Sequence, residues 1–152
     1  MSPRAASRLE SIGFTRVYDY AAGKADWGSF GLPLEGDADS STRVGSLARA
    51  DAPTCLPDEL VADVAERAAD EWKVCVVTNN DGVVLGLLGM DALRSKKRVR
   101  AEDAMALGPR TIRPSARPDA IARRMRDQNL KSIVVTRSDG VFVGVLRRED
   151  LD

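Results

Sequence analysis

An internal repeat constrains the fold of this chain more than any other feature of its sequence. Residues 74–93 align without gaps on residues 132–151 at an offset of 58, and nine of the twenty paired positions are identical. Upstream, Thr54–Pro57 matches Thr111–Pro114 at an offset of 57. A repeat of this length indicates two copies of one supersecondary unit that fold against each other. We place the two copies at 44–97 and 98–152.

Each copy has the same order of predicted elements: strand, helix, strand, strand, helix. A short extended piece that ends in proline precedes an amphipathic helix in both copies. The first helix is predicted to start at Asp58 and Glu59, and the second has Pro118 near its first position. The apolar stripes of the two helices are Leu60, Val61, Val64, Ala65 and Ala68, and Ile121, Ala122 and Met125.

Two strands joined by a tight turn follow each of these helices. An Asp-Gly dipeptide stands between β-branched runs in both copies, and it is the strongest short-range signal for a β-hairpin. A last helix is predicted at Met90–Lys96, with a shorter counterpart at Arg148–Asp152. The fold class is therefore α/β of the α+β type. The predicted strands are Val74–Thr78, Val83–Leu88, Ser132–Thr136 and Val141–Leu146.

The element order and the hairpins resemble the CBS domain pair, also called the Bateman module. The likeness covers 44–152, and the run from Lys131 to Leu146 followed by Arg147–Leu151 carries it most clearly. The resemblance implies two β-α-β-β-α repeats that pack with pseudo-twofold symmetry. It also implies a homodimer, and two clefts that are able to hold adenosine-containing ligands.

The resemblance further implies a ribose-binding Asp in the pattern Gly-h-h-Ser/Thr-x-x-Asp, where h is apolar. Residues 144–150 match this pattern with Asp150 as the anchor, and Arg147 replaces the hydroxyl residue. A carboxylate can accept both ribose hydroxyl protons, and a guanidinium can reach a phosphate. The first copy has Ala92 at the anchor position, so we expect its cleft to be weak or empty. The candidate nucleotide-binding residues are Thr111, Ile112, Ser132, Ile133, Val134, Arg147, Arg148 and Asp150.

The charges of the chain cancel, but they are unevenly distributed. The 23 basic and 23 acidic side chains give a net charge of zero, whereas residues 94–131 hold twelve basic and four acidic side chains. This stretch is either a solvated face or a belt that meets phosphate, an acidic partner or nucleic acid. A net charge of zero argues against bulk binding of a polyanion, so nucleic acid is not an expected partner.

The residue types that are present argue against an enzyme. The chain has no histidine, which removes Ser-His-Asp and Cys-His catalytic sites and imidazole metal sites. Cys55 and Cys75 lack a C-x-x-C spacing and are predicted to be buried structural thiols in a reducing compartment. No apolar run reaches the roughly 20 residues that span a bilayer, and no signal peptide is recognised. We expect a cytoplasmic, non-enzymatic protein with no metal site, no required cofactor and no membrane association.

The first 36 residues follow a different pattern from the repeat. A helix is predicted from Ser2 to Gly13, and a short strand at Val17–Tyr20. The run Ser-x-x-Ala-Ala-x-x-Leu, then Gly-Phe-x-x-Val, then Gly-x-x-x-Trp resembles the C-terminal third of a rhodanese-like domain. In that family the nucleophilic cysteine would precede Ser2, so the resemblance implies a fragment without it, and sulfur transfer is not expected.

A fragment of this length cannot bury a core of its own. It is therefore an evolutionary remnant, a late start in a longer gene product, or an element that docks on the repeats or on a partner. Tyr18, Trp27 and Phe30 favour docking. Residues 37–43, rich in Asp and Ser, are the predicted linker.

Three functional hypotheses are compatible with these patterns. In the first, a CBS pair senses AMP, ADP, ATP or S-adenosylmethionine and signals by a shift between two packings or by a change of its dimer. In the second, the pair only dimerises, and the N-terminal fragment recruits an unknown protein partner. The third, a residual sulfurtransferase, requires a persulfide on Cys55 or Cys75. The first hypothesis explains the repeat and the Asp150 motif together.

Overall fold

The computed structural model describes residues 2–20, 23–30, 32–33, 42–68, 71–95 and 98–151. The predicted linker at 37–43 lies almost entirely outside the described residues. The helices are α1 Ser2–Ser11, α2 Gly23–Ser29, α3 Val44–Leu47, α4 Val61–Arg67, α5 Met90–Ser95, α6 Ala101–Ala104 and α7 Pro118–Asp127, with a 3₁₀ helix at Arg148–Leu151. The strands are β1 Thr54–Cys55, β2 Val74–Thr78, β3 Val84–Gly89, β4 Ala106–Leu107, β5 Thr111–Ile112, β6 Ser132–Thr136 and β7 Phe142–Arg147.

The strands form two small sheets of equivalent build, which confirms the α+β class. One sheet has the order β1-β2-β3-β4 and the other β5-β6-β7. In each sheet the short first strand runs parallel to the second strand, and the second and third strands form an antiparallel hairpin. The register is repeated as well, because Thr54 pairs with Val76 and Thr111 pairs with Val134.

The two sheets meet around a pseudo-twofold axis at their hairpins. Val83 and Val141 are equivalent positions of the repeat, and they pair with each other in an isolated antiparallel bridge. The Val84 amide donates to the Gly140 carbonyl at 3.1 Å, and the Phe142 amide donates to the carbonyl of Gly82 at 2.9 Å. This pairing explains why β3 and β7 begin one residue later than predicted. A shared core fills the interface with Ala52, Trp72, Val76, Val134 and Val145.

The helices after the first strands follow the predicted pattern, with one change of boundary. Helix α7 begins at Pro118, and Ile121, Ala122 and Met125 are buried as expected. Helix α4 begins at Val61 rather than at Asp58. The difference arises because Leu60 is extended and pairs with Arg100, which keeps the preceding residues out of the helix.

The segment at the start of each repeat packs in the core of the other repeat. We call these segments, residues 44–49 and 101–106, the leaders. Val44 of the first leader is fully buried in the core below β5-β6-β7, and Ala101 of the second is fully buried in the core below β1-β2-β3. The leaders then add to the sheets, because Arg49 bridges Val145 and β4 pairs with β3. The two cores therefore depend on each other.

Two glycines at equivalent positions allow the leaders to approach the sheets. A Cβ atom on Gly144 would lie 2.8 Å from the Arg49 carbonyl oxygen, and one on Gly86 would lie 2.9 Å from the oxygen of Ala106. Such distances are shorter than real Cβ contacts. The repeated Gly at these positions is thus required by the close approach of backbone to backbone.

The N-terminal segment contains helices but not the predicted strand. Residues 17–20 form no regular structure, and among the described residues no strand pairs with them, so they gain no ladder hydrogen bonds. The segment contacts the second repeat just after α2, where Arg137 stacks on Phe30 with 4.7 Å between guanidinium and ring centre. Trp27 packs edge-on against Tyr20, whereas Tyr18 is 84% exposed.

Candidate ligand-binding site

A cavity of about 350 Å³ lies between the two repeats, where β2 and β6 begin. Lys73 and Lys131 are equivalent positions of the repeat, as are Val74 and Ser132, so the same short segment of each copy contributes to the cavity wall. The end of β7 closes the remaining side. The lining residues are Glu71, Trp72, Lys73, Val74, Lys131, Ser132, Arg147, Arg148 and Glu149.

A second cavity of about 160 Å³ shares Val74 and Ser132 with the first. Its wall is mostly apolar, and its one charged side chain, Arg110, donates a hydrogen bond to Gln128. The two cavities together form a cleft with a charged part and an apolar part. The other lining residues of the apolar part are Leu87, Leu130, Ile133, Val134 and Val145.

Trp72 is the central aromatic residue of the charged part. Its side chain is 7% exposed, and its ring belongs to the core between the repeats. The guanidinium carbon of Arg147 lies 4.2 Å from the ring centroid, and that of Arg49 lies 5.3 Å from it. Both distances are within the range of a cation–π interaction. The indole therefore holds two cations next to the cavity.

Acidic side chains surround these two arginines. Arg49 contacts the carboxylates of Asp51 at 3.3 Å and Glu71 at 3.6 Å. The hydrogen bond from Arg49 lowers the pKa of Asp51 below its usual range and raises the pKa of Arg49 itself. Arg147 donates to Glu149 at 3.0 Å, and its second terminal nitrogen lies 4.0 Å from Glu71.

Asp150, the predicted ribose anchor, lies in the 3₁₀ helix that follows β7. Its Oδ2 atom accepts a hydrogen bond from the backbone amide of Arg147 at 3.1 Å. This contact satisfies an amide at the start of the helical turn, as a capping carboxylate does. The same bond fixes the backbone from which the Arg147 side chain projects.

The structure distributes the predicted site residues over three places. Ser132, Arg147 and Arg148 line the larger cavity, and Ser132 also lines the smaller cavity with Ile133 and Val134. The remaining three candidates line neither of these two cavities. Ile112 is 6% exposed in the core of the second sheet, Thr111 is exposed on β5, and Asp150 holds the Arg147 amide.

The cavity-lining residues that were not predicted as site residues include Glu71, Trp72, Lys73, Lys131 and Glu149. The signal that was available is the repeat itself, because extending the alignment two residues upstream pairs Trp72 with Leu130 and Lys73 with Lys131. One copy has an indole at this position and the other has a leucine, so the two copies contribute different side chains to the cleft. Only the contact with Arg147, however, places that indole beside the second copy's motif.

The two cysteines lie away from the cleft, in the core below β1-β2-β3. Cys55 is 3% exposed and Cys75 is fully buried, and both belong to the same core cluster. The neighbouring Cys55 thiol and burial raise the pKa of the Cys75 thiol above its usual range, whereas the Cys75 thiol lowers the pKa of Cys55. A buried, protonated thiol is a poor nucleophile. The prediction of buried structural thiols is confirmed.

Metal-binding clusters and membrane-spanning helices are both absent from the described part of the chain. Residues 2–20, 23–30, 32–33, 42–68, 71–95 and 98–151 contain no cluster of three or more Cys, Asp or Glu side chains that could hold a metal ion. Within the same ranges no helix is long and apolar enough to cross a membrane.

Comparison with known protein families identifies the second copy. Residues 101–151 match the family model described as the CBS domain. This segment is a CBS domain. The match does not extend to the first 36 residues, and no comparison supports the resemblance of those residues to a rhodanese-like domain. No protein with a curated description matches the chain.

Solved CBS structures share the fold of the paired repeats. The CBS domains of a transcriptional regulator from Streptococcus pneumoniae match with a TM-score of 0.62 and 20% identity, over 72% of this chain and 95% of that one. CBSX2, a CBS-pair protein from Arabidopsis thaliana solved in complex with AMP, matches with a TM-score of 0.63 and 17% identity, over 73% and 93% of the two chains.

A third match is the cytosolic domain of the Mg²⁺ channel MgtE, solved in complex with ATP. The TM-score is 0.66 at 20% identity, over 72% of this chain. This chain spans about half of that domain, since 47% of it is covered. The three likenesses show that the two repeats have the architecture of a CBS pair.

Proposed function

We propose that the two repeats form a regulatory CBS pair that binds an adenine nucleotide in the cleft between them. CBS domains are generally regulatory modules without catalytic activity, and no enzyme family is indicated for this chain. The observation that carries the proposal is the two-part cleft, in which an apolar cavity adjoins a cationic one. Such a cleft suits a ligand with a flat ring and an anion. The ring packs on Trp72, whose core cluster includes Val134 and Val145 of the apolar part, and the anion meets the basic wall.

The size and the charge of the cleft favour a nucleotide. The larger cavity of about 350 Å³ falls within the range of roughly 300–1,000 Å³ that small-molecule sites occupy. Four basic side chains line it, against the acids Glu71 and Glu149, and a cationic wall attracts phosphate. The four basic residues are Lys73, Lys131, Arg147 and Arg148.

The same charge ranks the candidate ligands. AMP, ADP and ATP carry negative charge, whereas the sulfonium of S-adenosylmethionine is positive and is repelled by the basic wall. The two neighbours that were solved with nucleotides, MgtE with ATP and CBSX2 with AMP, support this ranking. We therefore propose AMP, ADP or ATP as the ligand and rank S-adenosylmethionine below them.

Calorimetry on the purified chain tests the proposal. The wild type is titrated with AMP, ADP, ATP and S-adenosylmethionine, and Lys131→Ala is compared with Arg123→Ala, whose side chain is exposed on α7 outside the two cavities. Removing one charged contact to phosphate should weaken binding by about tenfold, while Arg123→Ala should bind like the wild type. The absence of binding heat with all four ligands would refute the proposal.

A second candidate function, partner recruitment by the N-terminal segment, is favoured by the exposed apolar side chains. Apart from Val99 and Leu107, the exposed large hydrophobics of the described residues all lie between positions 9 and 32. A concentration of exposed apolar side chains in one segment favours an interaction role for that segment. The clustered residues are Leu9, Ile12, Phe14, Tyr18, Tyr20, Phe30 and Leu32.

Deleting residues 1–36 separates the two functions. Light scattering measures the assembly state of the full and shortened chains, and calorimetry measures their nucleotide binding. Loss of assembly with intact nucleotide binding would assign the segment to recruitment or dimerisation. Unchanged assembly would show that the segment does not contribute to self-association. The predicted homodimer is tested in the same measurement.

A further inference from the structure

The Arg147 side chain is only partly satisfied by its surroundings. Its side chain is 16% exposed, and Nη1 donates to Glu149, which is itself 70% exposed. The Nη2 atom is buried and has no hydrogen-bond partner among the described residues, although Glu71 lies 4.0 Å away. A buried donor of a charged group that is left unpaired carries a large desolvation penalty. The Nη2 atom of Arg147 is therefore available to donate to an anionic ligand.

The same guanidinium covers the aromatic surface of the cleft. Its carbon lies 4.2 Å from the centroid of the Trp72 ring, so the guanidinium occupies the place over that ring where another flat group would stack. Trp72 and Arg147 both line the larger cavity. A planar guanidinium and an aromatic base use the same face of an indole in the same way. The two cannot occupy one face together.

We propose that Arg147 is a displaceable plug: its guanidinium covers Trp72 in the empty cleft, and the ligand's aromatic ring replaces it while the guanidinium turns to the phosphate. This inference rests on the proposed function and adds a specificity rule to it. A ligand that has a ring but no phosphate breaks the contact between Arg147 and Trp72 and offers the displaced guanidinium no charged partner. A ligand with a ring and phosphate gains a charged partner for the displaced guanidinium. Arg147 therefore selects nucleotides against nucleosides.

Parallel titrations with ATP and adenosine test the rule. In Arg147→Ala the plug is absent, so adenosine should bind about three- to tenfold more tightly, as expected when a cation–π contact no longer has to be broken. ATP loses its phosphate partner, so the ratio of ATP to adenosine affinity should fall at least tenfold. Arg147→Lys retains the charge but not the planar group, and it should keep most of the ATP affinity while adenosine binds more tightly.

Fluorescence follows the displacement directly. The chain has two tryptophans, and a Trp27→Phe background leaves Trp72 as the single reporter. ATP should change the Trp72 emission when guanidinium is exchanged for adenine, and the change should be absent in a Trp72→Leu variant, which carries the residue found at the equivalent Leu130. Circular dichroism of each variant verifies that it is folded.

The outcomes distinguish this inference from the proposed function. If the folded wild type binds none of AMP, ADP, ATP and adenosine, the proposed function fails and the inference fails with it. If the wild type binds ATP but Arg147→Ala leaves the ratio of the two affinities unchanged, the inference alone is overturned. A constant Trp72 emission on saturation with ATP would overturn it as well, because the ring would then keep its neighbour.

Discussion

Substituting Gly144 by Ala tests the exchange of leaders between the two repeats. The added Cβ would lie 2.8 Å from the carbonyl oxygen of Arg49, 3.0 Å from its carbonyl carbon and 3.1 Å from the Cβ of Ala48. Two of these three atoms belong to backbone, so no side-chain rotation relieves the contact. The first leader must move away from β7 by several tenths of an ångström.

The cost of this movement follows from the contacts that it breaks. The Arg49 amide donates to the Val145 carbonyl at 2.9 Å, and the Val145 amide donates to the Arg49 carbonyl at 3.0 Å. Loss of two such bonds costs about 1–3 kcal/mol, and overpacking of a buried site costs about the same. Because one movement causes both effects, we expect a loss of about 2–3 kcal/mol in the free energy of unfolding. For a chain of this size that corresponds to a fall in Tm of roughly 4–12 °C.

Urea denaturation followed by circular dichroism measures the loss. Gly89→Ala is the matched control, because a Cβ at that position meets nothing within 4 Å and replaces a glycine at the end of the same kind of strand. The control should change stability by less than about 1 kcal/mol. The method resolves differences in the free energy of unfolding of roughly 0.5 kcal/mol. If the free energies of unfolding of Gly144→Ala and Gly89→Ala differ by less than this, the first leader does not pack on β7.

Two further predictions concern the first repeat. The thiols of Cys55 and Cys75 should not react with a thiol reagent at neutral pH until the protein unfolds, since both are buried; rapid labelling of the folded chain would contradict this. The hydrogen bond from Arg67 lowers the pKa of Glu59, so its stabilisation is complete above the usual Glu pKa of about 4.3 and is lost as the pH falls through the lower folded value. The stability difference between wild type and Glu59→Gln should therefore shrink below pH of about 4, and a difference that stays constant down to pH of about 3 would count against it.

Elements with a strong local signal are predictable from the sequence. Strands β2 and β6 have the predicted bounds, and α7 begins at the predicted proline. These elements combine a clear period with a clear boundary residue, and both are properties of neighbouring residues. The α+β class follows from the same elements, because a repeated strand-helix-hairpin order allows few other packings.

Elements that depend on distant residues are not predictable in this way. The strand expected at 17–20 is absent, because a strand exists only where another strand pairs with it. Helix α4 starts late because Leu60 is held by Arg100, forty residues further along the chain. Helices α3 and α6 have four residues each, too few to show a helical period.

The candidate site shows the same division. The motif that contains Arg147 was predicted from the family resemblance, whereas the Trp72 ring that Arg147 covers comes from the other copy and has no motif. The sequence by itself determined that the chain folds as two similar halves, because a duplicated pattern of apolar residues and turns specifies each half locally. Only the tertiary structure decided which leader packs on which sheet, and which side chains face each other across the cleft. Those contacts join residues far apart in sequence, and their free energy arises only when both halves are folded.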